Sequence, residues 1–228
     1  MVTIAAPQTA ASVYRAGDPG QLVIALSDHA DMEALMNEKR RSAILLGPGN
    51  GVGGETRRRV IGALRSGAAV ILDADALTSF ADDPKDLFGW IRAHKGNSSV
   101  LTPHEGEFAR LFGASQGAGD DRLTRCRRAA RDSGAMVLLK GNDTVIAAPD
   151  GRAALSEGAP PWLATAGTGD VLSGIITGLV AQGVPMFEAA CAGAWMQSAA
   201  AARFGAGLIA EDICDLLPAV LADLYKSR

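Results

Sequence analysis

The chain has 228 residues, enough for one sizeable domain; 48% are apolar but only 5% aromatic, so Ala, Val, Leu and Ile must fill its core. A formal net charge of −3 without a basic cluster argues against nucleic acid or an anionic membrane as partner, and no apolar run reaches the ~18 residues of a spanning helix. Cys126, Cys191 and Cys214 are far apart, lack metal-ligand spacing and fit a reducing cytoplasm, and the start of the chain has no signal-peptide pattern.

Short aliphatic runs then alternate with helical stretches. Strands are predicted at Val2–Ala6, Leu22–Leu26, Ala43–Leu46, Ala69–Leu72, Ser99–Leu101 and Met136–Leu139. Their nearly unbroken apolar character is that of strands covered on both faces. Helices are predicted between them at Met32–Lys39, Glu55–Ser66, Pro84–Ala93, Glu105–Phe112 and Asp121–Asp132. Asp150-Gly151 separates Val145–Ala148 from Ala153–Ser156 and predicts a hairpin. From Gly169 onward the chain reads as helical. Its last stripe (Ile213, Leu216, Leu217, Val220, Leu221, Leu224) contains Pro218, which should bend or restart the helix. The expectation is an α/β layered fold, with a mostly parallel central sheet flanked by helices, a helical C-terminal part and one domain over residues 1–228.

Several segments carry chemistry. Thr165-Ala-Gly-Thr-Gly-Asp170 leads into an apolar helix whose first-turn N–H groups and dipole make a seat for phosphate or an oxyanion. Asp170 beside that seat reads either as an ordinary first-turn acid or as a proton-abstracting base. Gly49, Gly51 and Gly54 satisfy G-x-G-x-x-G, with Asp73 about 20 residues on, a dinucleotide fingerprint weakened by the density of glycine around it. In Thr102-Pro-His-Glu-Gly-Glu107, Thr102 as N-cap with Glu105 at the third helical position makes a capping box and leaves His104 and Glu107 unexplained. His29 and His94 look solvated. Lys140 ends an apolar strand and aims its ammonium at the ligand side of a sheet, beside the Gly167–Asp170 loop.

In this order, GPGNG at 47–51, VILDADAL at 70–77, LTPHEGEF at 101–108, LKGNDTVI at 139–146, AGTGDVLSG at 166–174 and GLIAED at 207–212 resemble one family, the ADP-dependent NAD(P)H-hydrate dehydratases of the ribokinase-like superfamily. The resemblance covers essentially the whole chain. It implies a ribokinase-like fold and a lyase that restores NADH and NADPH from their hydrates, with ADP or ATP as phosphate donor and Mg²⁺. It further implies Asp170 as base, with Gly49, Gly51, His104 and Asp170 holding the hydrate. Lys140, Gly141, Asn142, Asp143, Thr144, Gly167, Thr168 and Gly169 would line the adenine-nucleotide site, and Glu107 would lie nearest the metal.

Two departures stand out. Gln197 occupies a position where the family often has histidine. Family members also carry a further strand–helix unit ahead of the segment that begins here, so the resemblance implies a chain short at its front. That shortness would remove a wall of the hydrate pocket and expose apolar surface, favouring a homo-oligomer. The alternatives are a ribokinase-like sugar or vitamin-precursor kinase, a Rossmann oxidoreductase resting on Gly49, Gly51, Gly54 and Asp73, and an inactive nucleotide-binding protein.

Overall fold

The computed structural model describes residues 1–17, 19–94, 99–113 and 119–226. The chain divides into two compact units, Met1–Arg41 and Ser42–Arg228. In the first, strands β1 (Val2–Pro7) and β2 (Gln21–Leu26) pair in parallel, and helices α1 (Ala11–Arg15) and α2 (His29–Met36) follow them. Helix α2 starts three residues before its predicted position because Asp28 caps it, accepting from the Asp31 N–H. Helix α1 was not expected: five residues are too few to establish a helical period.

The second unit runs β3 (Ala43–Leu46), α3 (Gly54–Ser66), β4 (Ala69–Leu72), α4 (Ala74–Thr78), α5 (Pro84–Ala93), β5 (Ser99–Leu101), α6 (Glu105–Phe112), α7 (Arg122–Ser133) and β6 (Met136–Leu139). It continues through β7 (Thr144–Ala147), β8 (Ala153–Ser156), a 3-10 turn at Pro161–Ala164, α8 (Thr168–Ala181), α9 (Met186–Phe204) and α10 (Ala210–Lys226). The six strands lie side by side in chain order; β3 to β6 are parallel, while β7 and β8 turn back antiparallel. The four parallel strands therefore end along one edge of the sheet.

Packing follows from the apolar strands. Ile71, Val100, Leu138 and Ile146 meet Leu172 and Ile176 of α8 and Met186, Ala190 and Ala194 of α9 in one buried cluster. Strand alternation turns Val70, Leu72, Val137 and Leu139 to the opposite side, and all four are fully buried there too. Each such side chain is worth about 1.5–3 kcal/mol of burial. Helix α10 runs through Pro218 without restarting, its apolar face held on either side of the proline by buried Ile213 and Val220. Among the described residues, no helix is long and apolar enough to cross a membrane.

Candidate active site

The residue after each parallel strand is where this sheet does its work. Gly47 follows β3, Asp73 follows β4, Thr102 follows β5 and Lys140 follows β6. Backbone bonds carry the ladder one step further: Asp73 N–H donates to Leu46 O (3.1 Å), Thr102 N–H to Leu72 O (3.1 Å) and Lys140 N–H to Pro103 O (2.9 Å). These positions are thus fixed by the sheet rather than by loop conformation.

Asp73 is fully buried. Its Oδ1 accepts from the Ala74 N–H at 2.9 Å and from Lys140 Nζ at 2.8 Å, whereas its Oδ2 meets no hydrogen-bond partner among the described residues. Ala74 adopts φ +45°, a left-handed conformation that costs a residue with a Cβ. The kink starts α4 and brings Asp75 Oδ2 within 2.8 Å of the Gly51 N–H it accepts from. Gly47, at φ +136°, lies so close over Asp73 that a Cβ would fall 1.7 Å from the Asp73 carbonyl oxygen. The Gly47–Gly51 loop is therefore seated on Asp73 and Asp75.

Across from this pair, α8 begins without a side-chain cap, leaving first-turn N–H groups available to an anion. Its approach is tied down on the other side: Thr168 Oγ1 donates to Leu163 O (2.8 Å) and Thr165 O (3.0 Å), and Gln197 Nε2 donates to Thr168 O (2.6 Å). Lys140 Nζ stands 3.1 Å from where a Cβ on Gly169 would lie, so the ammonium and the helix start converge. Asp170 follows immediately. Partial burial, above all, and then the Asp73 carboxylate push its pKa up; Lys140 opposes them, and Asp75 adds a smaller upward push.

A cavity of about 380 Å³ opens beside this cluster. Lys140, Gly141, Asn142, Thr144, Thr168 and Gly169 line it, facing an apolar wall that includes Leu163, Leu172 and Ala194. Six of the eight residues expected to hold an adenine nucleotide thus share one hollow. Gly167 serves as the left-handed N-cap of α8, and Asp143 Oδ1 accepts from the Gly158 N–H, bracing the turn instead.

The capping box differs from expectation. His104, not Thr102, caps α6: its Nδ1 accepts from the Gly106 and Glu107 N–H groups, and Glu107 Oε2 accepts from the His104 N–H at 2.9 Å. Thr102 is fully buried and its hydroxyl donates to Leu72 O. Because Nδ1 accepts, the neutral His104 ring carries its proton on Nε2, on an exposed side chain. Glu107, expected nearest a metal, is buried and turned to the helix start, so it does not fit a magnesium ligand. Among the described residues no group of three or more His, Cys, Asp or Glu is arranged to hold an ion. His94, expected in solvent, is buried with Nδ1 on Leu64 O.

Asp73 serves Lys140, and the dinucleotide reading that gave it a ribose fails. Among the described residues the six-stranded sheet runs in chain order, without the strand reversal at which such folds bind dinucleotides. Sequence reasoning did not single out Asp75; two acids at i and i+2 directly after a buried strand, in VILDADAL, were the available signal.

Comparison with known proteins gives the family and the fold. The family model described as NAD(P)H-hydrate dehydratase matches residues 1–218. The chain is 48% identical over 151 residues to the bifunctional NAD(P)H-hydrate repair enzyme Nnr of Mycobacterium tuberculosis, a match covering 66% of this chain and 30% of that protein. It is 40% identical over 190 residues to the ADP-dependent (S)-NAD(P)H-hydrate dehydratase of Neisseria meningitidis, covering 79% and 63% respectively. The chain thus spans about a third of the bifunctional relatives. Among solved structures, a ribokinase-like superfamily protein from Enterococcus faecalis superposes with a TM-score of 0.82 at 23% identity, over 97% of this chain and 76% of that one. The Bacillus subtilis ADP/ATP-dependent NAD(P)H-hydrate dehydratase co-crystallised with ATP/Mg²⁺ gives 0.75 at 24%, over 97% and 78%. The fold is ribokinase-like.

Proposed function

This chain belongs to the NAD(P)H-hydrate dehydratase family, and from that premise we propose that it converts hydrated NADH and NADPH back to the dihydronicotinamides at the expense of ADP or ATP. The observation that carries this reading is the convergence of the Lys140 ammonium and the open start of α8 on one cavity, with Asp170 beside them. The nucleotide's phosphates take the helix N–H groups and Lys140, and its base and ribose take the cavity. Asp170 removes the proton of the hydrate hydroxyl as its oxygen bonds to the terminal phosphorus and the nucleotide leaves one phosphate shorter. The new phosphate ester is a good leaving group; its C–O bond breaks with loss of a neighbouring C–H proton, restoring the ring double bond and releasing inorganic phosphate.

The raised pKa of Asp170, set first by partial burial and then by the Asp73 carboxylate, strengthens it as a base. His104 and the Gly47–Gly51 loop, on the same sheet edge, are the groups we assign to the hydrate. Magnesium would come bound to the nucleotide phosphates, screening their charge with few ligands from the protein. The three free cysteines support a reducing compartment.

The test is an assay of NADH hydrate with ADP and Mg²⁺, following the return of dihydronicotinamide absorbance. Stoichiometric phosphate and AMP should appear with it. A phosphorylated product that accumulates with no absorbance gain would make the protein a kinase instead.

A further inference from the structure

Arg122, the first residue of α7, lies outside the proposed chemistry yet reaches the backbone of the turn that lines the cavity. Its Nη2 donates to Leu139 O (3.3 Å) and Lys140 O (3.1 Å), and its Nη1 donates to Glu105 Oε2 (3.1 Å). Arg125 donates to the other oxygen of Glu105. The guanidinium is pressed so closely on the turn that a Cβ on Gly141 would lie 2.5 Å from Nη2 and 2.9 Å from Cζ. These are the last carbonyl of a buried strand and the carbonyl of Lys140 itself. No other described side chain donates to them.

A planar fork with one arm on two successive carbonyls and the other on a carboxylate fixes orientation as well as position. Strand β6 sets where the Lys140 backbone leaves the sheet, and the fork fixes how the peptide after it is turned. The direction of the lysine side chain, and the floor of the cavity at Gly141 and Asn142, follow from that peptide. Glu105 is in the first turn of α6, next to its cap His104, so the same fork fastens the turn to the other loop of the sheet edge.

We propose that Arg122 is a positioning residue for adenine-nucleotide binding: it holds the Lys140–Gly141 turn in its binding conformation, and Gly141 is glycine because the guanidinium occupies the space of a side chain. The proposal rests on the reading that this turn binds the nucleotide. It assigns the glycine to the protein's own arginine, whereas a glycine kept for close approach of phosphate would be needed whether or not Arg122 were present.

The experiment is a double-mutant cycle of Arg122→Ala and Gly141→Ala on the full chain, read by ADP calorimetry and by thermal unfolding. Arg122→Ala should weaken ADP binding roughly tenfold, or about 1.4 kcal/mol. Gly141→Ala should weaken it by up to the same factor, because the methyl group pushes the guanidinium off the turn. The double variant should bind no more weakly than Arg122→Ala alone, because the clash is gone. Arg122→Lys, which keeps charge without the fork, should not restore affinity. Additive losses would overturn the account of Gly141, and native ADP affinity in a folded Arg122→Ala would overturn the positioning role. Should Gly141→Ala fail to fold, a double variant that folds upholds the account of Gly141 and one that does not overturns it; where Gly141→Ala folds, the double variant's unfolding temperature must match or exceed it. A wild-type chain that gives no ADP heat would sink the proposed function, and with it Arg122's part in binding. The stability cycle would then still report whether guanidinium and glycine exclude each other.

Discussion

Lys140 Nζ lies 2.8 Å from Asp73 Oδ1, joining a residue with 19% side-chain exposure to one with none. The two ends of this pair are not equivalent. A lysine released from its partner can turn its ammonium to water, whereas Asp73 cannot follow, and its second oxygen already lacks a partner among the described residues.

That asymmetry sets an order of stabilities. Lys140→Met strands a buried carboxylate and should cost about 3–5 kcal/mol. Asp73→Asn should cost less, since the amide keeps an acceptor for the Ala74 N–H and Lys140 can solvate. Combining the two should recover stability relative to Lys140→Met alone. Denaturant melts of the three variants check the order; a double variant less stable than Lys140→Met would mean the pair is not the reason for the loss.

Asp170→Asn should lower turnover by on the order of 10²–10⁴ while ADP binding changes only a few-fold. The raised pKa also has a sign for stability. The folded state holds the Asp170 proton more tightly than the unfolded chain, so stability falls as pH climbs from the usual carboxylate value through the raised one. Removing the charge should therefore raise Tm slightly at neutral pH, on the order of 1 °C given how exposed the group is. A lowered Tm would contradict this electrostatic account.

The acid side of the pH–rate profile should move in opposite directions for two neighbours. Asp75→Asn removes a like charge and should shift the limb to lower pH; Lys140→Met removes an opposing charge and should shift it higher. Parallel shifts, or none, would mean that a group other than Asp170 controls the limb. Residual activity in Lys140→Met need only suffice for a profile.

His104 can be tested apart from its capping duty. Asparagine is a strong N-cap, so His104→Asn should keep stability within about 0.5 kcal/mol, while His104→Ala should lose ~1 kcal/mol. If His104 also binds the hydrate, both variants raise KM alike. A normal KM in His104→Asn would confine the residue to structure.

The glycine loop separates close contact from backbone conformation. Gly47→Ala puts a methyl group into the Asp73 carbonyl and should abolish folding, whereas Gly49→Ala, at φ +69° with open space around it, should cost on the order of 1–2 kcal/mol. Soluble yield and melts of both variants give the comparison. A well-folded Gly47→Ala would mean that the loop does not sit on Asp73 this closely.

Much of this arrangement was legible in the sequence. Strands β3, β4, β5 and β6 fall where buried apolar runs place them, because a strand covered on both faces needs such residues throughout. Lys140 was visible as a polar group at a strand end, the position from which a sheet presents ligand contacts, and the Gly167–Asp170 loop beside it as a helix start open to an anion. The His104 cap was missed because a Thr-Pro start satisfies the usual helix-entry signals two residues earlier. The Asp73–Lys140 pair was not readable at all: its members are 67 residues apart, and only the parallel register of β4, β5 and β6 brings them together.

That register also bears on how the protein comes to be active. Turning β6 back through β7 and β8 requires only local contacts, so the Lys140 turn can form early in folding. Its meeting with Asp73 waits for two crossovers to close and three parallel strands to align, which is slow by comparison. A folding intermediate with the hairpin formed and β4 undocked would present an unpaired ammonium and a half-built cavity. The ion pair would be among the last native contacts to appear, and refolding followed by ADP-dependent fluorescence should lag behind refolding followed by far-ultraviolet circular dichroism.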